Sequence, residues 1–361
     1  MKPVLTYLKK FFSSKRILGD NSELKGLAEA DALFSNLIKM KRIPGLGITV
    51  LKDGKTVFQK GYGFSDIEAK IAVDPCKTIF RIGSVSKPIA ATALALMTSE
   101  GTINLNASFY DYVPYFPRKE YDFSMRQLAT HTAGIRGYKG KEYALNKPYS
   151  IRESIDIFKD DPLIYVPGEQ FNYNTYNWVL ISLAMQEASD IPFEEYVKKK
   201  VLKPLKMKDT QAEIPNAAPE NLAAFYTRFT SGFKRAATVD NRWKLAGGGY
   251  LSTSEDIAKL GQAYLDRIIL NETTRTEFLT SNYYKNTPTW YGLGWEVSED
   301  NSGRPFYGHT GNGVGVHARF YVYPEQQMVF SILINCTNPK VDIELEQAID
   351  RLIESRAGFN N

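Results

Sequence analysis

An α+β fold is predicted, in which both ends of the chain build one antiparallel sheet that is packed by helices and flanked by a helical subdomain. Three observations predict it. A helix signal and a strong hairpin signal stand near the start of the chain. Residues 105–210 read as helices separated by proline-bearing loops. Strand patterns then return from residue 289 and a last helix closes the sequence.

Taken in order, Leu24, Leu27, Leu33, Phe34, Leu37 and Ile38 recur at near-helical spacing behind Asp20, Asn21 and Ser22, a start signal for a first helix over 22–40. "GLGITVLKDGKTVFQKGYG" follows, two β-rich runs joined at Asp53-Gly54, a dipeptide suited to a two-residue turn. After Ser84, "PIAATALALMTSEG" is apolar nearly all round, which marks a buried helix stopped by Gly101. Pro88 lacks an N–H and so belongs in its first turn. "YVPYFPRKEYD" and "LIYVPGEQFNY" are the proline-bearing loops of the helical stretch. "GGGYLSTSEDIAKLGQAYL" opens another helix, with Thr253 as N-cap and Asp256 three residues on. "TWYGLGWEV", "GVHARFYVYP" and "QQMVFSILIN" read as strands, the last two paired through Pro324-Glu325, and a helix near 341–356 ends the pattern. The expected division is a basic arm at 1–19, an α/β-sheet subdomain from 20–110 and 211–361, and an inserted helical subdomain at 111–210, with the active site between the two subdomains.

The chain has 361 residues, 43% of them hydrophobic and 24% charged, enough for a large core. Its formal charge of +5 resides in the arm, where Lys2, Lys9, Lys10, Lys15 and Arg16 stand without an acid. The neutral body argues against a nucleic-acid partner. The arm lacks the apolar core and cleavage site of a secretory signal. A cytoplasmic protein is therefore expected, with the periplasm as alternative, and a plain terminus is preferred to contact with a membrane surface. Cys76 and Cys336, 260 positions apart, read as two independent buried thiols. Three dispersed histidines give no zinc-ligand spacing, so neither metal nor cofactor is expected. The oligomeric state is not legible.

Three Ser-x-x-Lys segments occur, at Ser22, Ser231 and Ser84. Only Ser84 and Lys87 open a helix that looks buried. Positions i and i+3 share a helix face, and an apolar setting lowers a lysine's pKa, which makes it a base. The residues alone leave a helix cap with a solvated lysine as an equal reading. No Gly-x-Ser-x-Gly elbow surrounds Ser84.

Two further segments tip this balance. "FNYNTYNWVLISLA" places Tyr173 89 residues after Ser84, and "YGHTGNGVG" supplies His309-Thr310-Gly311 after a further 136. With Ser84 and Lys87, these resemble the three ordered motifs of the penicillin-recognising serine hydrolases, in the class C β-lactamase-like branch: Ser-x-x-Lys, Tyr-x-Asn, and Lys-Thr-Gly with its His-x-Gly variant. "RQLATHTAGI", "AGGGYLSTSEDIAKL" and "YGLGW" look like recurrent segments of that family, and the resemblance spans about residues 25–355. The stretch from "YVPYFPRKEYD" to "GIRGYK" looks most like the mitochondrial serine β-lactamase-like proteins and their bacterial relatives, linked to peptidase rather than antibiotic-degrading roles.

The resemblance implies a three-layer αβα, β-lactamase/transpeptidase-like fold and an acyl-enzyme on Ser84. Lys87 and Tyr173 would share the proton work, Lys87's positive charge favouring a Tyr173 phenolate, and which of them is the base stays open. The oxyanion hole would combine the N–H of Ser84 with that of Asn312. Thr175, Thr310 and Gly311 would line the substrate site, and His309 would hold a substrate carboxylate or orient the tyrosine. Because His309 is neutral over part of the physiological range, esters and peptide interiors are favoured as substrates. Thr175 stands where the family has asparagine and cannot present an amide in the same way, which disfavours a true β-lactamase. A non-catalytic penicillin-binding sensor or scaffold is the remaining alternative. His131 and His317 read as structural.

Overall fold

The computed structural model describes residues 26–214 and 218–354. The basic arm and the start signal at Asp20, Asn21 and Ser22 lie outside them. Helix α1, Leu27–Lys39, turns Leu27, Ala30, Phe34, Leu37 and Ile38 inward. Strands β1, Gly45–Lys52, and β2, Lys55–Asp66, form the expected hairpin. Asp53 (φ 47°) and Gly54 (φ 74°) both take positive φ at its turn, as a type I′ connection requires. The short β3, Ile71–Ala72, pairs with β2.

A one-turn 3₁₀ segment at Gly83–Val85 leads into α2, Ser86–Ser99. The sequence has Ser84 and Lys87 open the helix; the structure starts the regular turns at Ser86 and leaves Ser84 in the preceding 3₁₀ turn. The cause is Gly83, whose φ of +54° lies outside the helical region and delays the regular turns until Ser86. Helix α2 is buried at every position from Ser86 to Ala95, as an all-round apolar run demands, and Pro88 falls in its first turn. From Gly101 to Thr210 the described chain contains no strand, and its longest helix is α3, Tyr176–Ser189. Helix α4, Ser254–Leu265, starts where expected: the Thr253 hydroxyl accepts from the Asp256 N–H at 3.2 Å.

The remaining strands of the large sheet are β4, Glu296–Glu299, β5, Pro305–Gly313, β6, Val316–Tyr323, and β7, Met328–Ile334; helix α5, Asp342–Ile353, follows them. "TWYGLGWEV" is a strand only from Glu296. Upstream, the Gly292 N–H bonds the Trp295 carbonyl at 2.8 Å, closing a turn instead of a ladder.

One antiparallel sheet of seven strands results, in the order β4-β5-β6-β7-β1-β2-β3. Its central seam joins the two halves of the chain, with Ile48 opposite Ile332 and Val50 opposite Phe330. Alternation along each strand feeds two cores. Met328, Phe330, Ile332 and Ile334 of β7 pack with α1 and α5, whereas Val329 and Leu333 join the larger core shared with α2, α3 and α4. The layers are therefore helix, sheet, helix, the three-layer α+β architecture. Cys76 and Cys336 are both free thiols.

Replacing Thr253 by Ala removes the α4 cap together with a fully buried side chain, and is expected to lower the stability in urea unfolding by at least about 0.5–2 kcal/mol.

Candidate active site

The site forms where the 3₁₀ turn before α2 abuts strand β5. A Cβ on Gly83 would stand 3.0 Å from the Asn312 nitrogen and 3.2 Å from the Gly311 carbonyl carbon, so only glycine permits this approach. Ser84 is half-buried at the point of contact. Lys87 Nζ lies 3.0 Å from Ser84 Oγ and donates to the Gly247 carbonyl at 2.8 Å. Tyr173 donates its hydroxyl to Ser84 Oγ at 2.7 Å. Two segments that are remote in sequence thus meet at one oxygen.

Lys87 has no exposed surface, and its Nζ forms no ion pair among the described residues. Burial strips the ammonium of hydration and lowers its pKa to about 7; the charge of Lys244 lowers it further, while Glu296 opposes the shift. Nζ also sits 4.7 Å from the centre of the Tyr173 ring.

Tyr173 retains 41% of its surface exposed, yet its hydroxyl end is desolvated and the phenol pKa is pushed well above its usual value, with Ser84 opposing and Glu296 adding to the shift. The expectation that Lys87 favours a phenolate is therefore reversed. The burial that lowers the Lys87 pKa also weakens the charge that would have stabilised the phenolate.

His309 is buried on β5. Its Nδ1 is 2.7 Å from the Thr310 carbonyl and its Nε2 is 3.0 Å from the Tyr291 hydroxyl. A carbonyl only accepts, so Nδ1 carries the proton and Tyr291 donates to Nε2. Burial, aided by the charge of Lys87, depresses the His309 pKa to about 4 although Glu296 stands 3.3 Å away. His309 is consequently neutral through the whole physiological range. It belongs to a ring cluster about Tyr173: centroids lie 4.6 Å away for His131 and 5.9 Å for both Tyr291 and His309.

Of the other sequence-derived residues, Thr175 and Asn312 line a cleft of about 70 Å³ together with Ser84, Gly247 and Lys244. Asn312 Oδ1 lies 2.7 Å from Nδ1 of His317, its partner across β5 and β6. Thr310 points elsewhere: its N–H and hydroxyl donate to Glu296 at 3.1 and 3.2 Å. Gly311 packs on the turn, where a Cβ would strike the Ile82 carbonyl at 2.1 Å. His131 ties backbone together, its Nδ1 accepting from the Asn174 N–H at 3.3 Å and its carbonyl from the Asn172 N–H. Sequence reasoning did not single out Tyr291, Glu296, Lys244 or the Gly247 carbonyl. Their only signal was membership of "YGLGW" and "AGGGY" or proximity to them.

A larger cavity of about 530 Å³, walled by Leu202, Met207 and Tyr250, contains none of these groups; a buried amine against a hydroxyl, and not volume, locates the chemistry. Among the described residues no group of three or more His, Cys, Asp or Glu could hold a metal, and no helix is long and apolar enough to cross a membrane.

Residues 30–353 match the family model described as Beta-lactamase. The chain belongs to the beta-lactamase family of serine hydrolases. It is 28% identical over 383 residues to the human mitochondrial serine beta-lactamase-like protein, a match covering 78% of this chain and 69% of that one. In fold it is similar to the octameric penicillin-binding protein homologue from Pyrococcus abyssi, with a TM-score of 0.79 at 24% identity, over 91% of this chain and 77% of that one. A D-amino acid amidase from Ochrobactrum anthropi gives a TM-score of 0.80 at 18% identity, over 91% and 100% of the respective chains. The beta-lactamase family assignment thus rests on most of the chain and not on the motifs alone.

Tyr291→Phe leaves the buried Nε2 of His309 without its donor. The expected loss is about 1–3 kcal/mol of stability, read as a lowered midpoint in urea unfolding.

Proposed function

We propose that the protein is an acyl-enzyme hydrolase that uses Ser84 to cleave small esters or peptides, with Lys87 as the base. The observation that carries this reading is the buried Lys87 amine, 3.0 Å from Ser84 Oγ and with a pKa of about 7. In its neutral form the amine accepts the serine proton as Oγ attacks the substrate carbonyl. The bond to the leaving group then breaks. Tyr173, protonated and already donating to Oγ, passes a proton to the departing atom and recovers one from Lys87. Water attacks the acyl-serine ester, its proton returns through the same pair, and Ser84 is restored. The N–H groups of Ser84 and Asn312 take the developing oxyanion; the packing of Gly83 on the Asn312 nitrogen supports this pairing. His131, Tyr291 and His309 position Tyr173. A neutral His309 holds no carboxylate by charge, which favours esters and peptide interiors over substrates anchored by a terminal carboxylate at that position.

Ser84→Ala is expected to abolish hydrolysis of p-nitrophenyl acetate and labelling by a fluorophosphonate probe; persistent labelling at another serine refutes the assignment. Nitrocefin turnover equal to that of the best ester would instead make the chain a true β-lactamase, and a penicillin adduct that persists for hours would make it a sensor. Lys87 serves as a base only when deprotonated, so kcat/KM should rise with pH through about 7 and level off above it. Lys87→Met should lower the rate by at least about a hundredfold and erase that inflection.

A further inference from the structure

Lys244 is the one cation lining the Ser84 cleft whose charge is left unanswered among the described residues. It is 8% exposed, and its Nζ donates to the Tyr143 carbonyl at 2.6 Å, with the Trp243 and Tyr138 rings 5.1 and 5.7 Å away. The other lining cation, Arg81, is neutralised: its guanidinium grips Glu213 at 2.6–3.0 Å, and Asn241 donates to the same carboxylate at 2.8 Å. The cleft wall itself carries no aspartate or glutamate. A buried ammonium held by one carbonyl is costly unless an anion meets it.

The composition of the wall also tells which half of a substrate enters. Tyr173, Lys87 and His309 do not line the cleft, yet the leaving group must depart toward the residues that protonate it. The cleft therefore receives the part that stays on Ser84. Its volume of about 70 Å³ compares with the about 10–15 Å³ that one water needs, room for a short acyl chain that ends in a carboxylate.

We propose that Lys244 binds the distal carboxylate of a short acyl group, making the enzyme selective for half-esters, thioesters or amides of small dicarboxylic acids. This rests on the acyl-enzyme reading above. Burial, and then the charge of Arg81, lowers the Lys244 pKa to about 8 while Glu213 opposes them, so the side chain remains largely cationic at neutral pH.

The test compares the N-acetylcysteamine thioesters of succinate and butyrate, which differ only in carboxylate against methyl, with thiol release followed colorimetrically and the Ser84→Ala protein as blank. The expected kcat/KM ratio, succinyl over butyryl, is about 10 to 100, the worth of one hydrogen bond between charged groups. Lys244→Met should lower the ratio at least tenfold, and Lys244→Arg should retain most of it. The ratio should also fall as pH rises through about 8, whereas Lys87 acts on both substrates alike and cancels. Should Lys244→Met not fold, Lys244→Gln, which keeps a donor for the Tyr143 carbonyl, takes its place. A wild-type ratio near 1, or one unchanged in the variant, overturns the proposal. So does hydrolysis of p-nitrophenyl acetate with neither thioester cleaved, an outcome that leaves the hydrolase reading standing. If p-nitrophenyl acetate is not cleaved either, the hydrolase reading fails and this one with it.

Discussion

An amine with no access to water sets the terms for everything around Ser84. Lys87 is carried inward by a helix that is apolar on every side, and among the described residues no carboxylate is close enough to make an ion pair with it. A free ammonium in such a place loses several kcal/mol of hydration, which the protein answers by letting the proton go near neutrality and by offering the Gly247 carbonyl to whichever donor remains. That carbonyl can come so close because residue 247 has no side chain: a Cβ there would meet the Thr175 methyl at 2.4 Å. The Lys87 amine, its carbonyl acceptor and the wall of the cleft are thus one packing problem with one solution.

The surrounding rings follow from the same choice. With the amine uncharged for half the time at neutral pH, nearby groups gain little from being ionic, and Tyr173, Tyr291, His131 and His309 are all held in their neutral forms by burial. Hydrogen bonds of fixed direction do the ordering instead: Tyr291 to His309, His309 to the Thr310 carbonyl, Tyr173 to Ser84. Charge is kept at the two edges of this neutral zone, on Glu296 by β5 and on Lys244 in the cleft. Proton movement between Lys87 and Tyr173 can then occur without dragging counter-charges along.

Much of this was legible in the sequence. Helix α2 announced itself because a run without a polar face has to be buried, and the β1–β2 turn because Asp-Gly supplies two positive φ angles. Ser84, Lys87 and Tyr173 were identifiable by motif order, and the coordinates bring them to a single oxygen. What escaped was whatever depends on neighbours from elsewhere in the chain. The state of Tyr173 could not be judged because the same desolvation acts on Lys87. Thr310 adjoins His309 in sequence, but strand alternation turns its hydroxyl to Glu296. Lys244 looked like any lysine in a loop, since nothing local reveals that Glu213 is already taken by Arg81.

The pairing of β1 with β7 has a temporal side. Ser84 and its helix leave the ribosome long before β5, which bears His309 and Asn312, and before β7, which closes the sheet. An emerging chain therefore displays Ser84 without the Asn312 N–H beside it and a lysine that is still hydrated. The surroundings of Ser84 are complete only when some 250 further residues have been added and the seam zips shut.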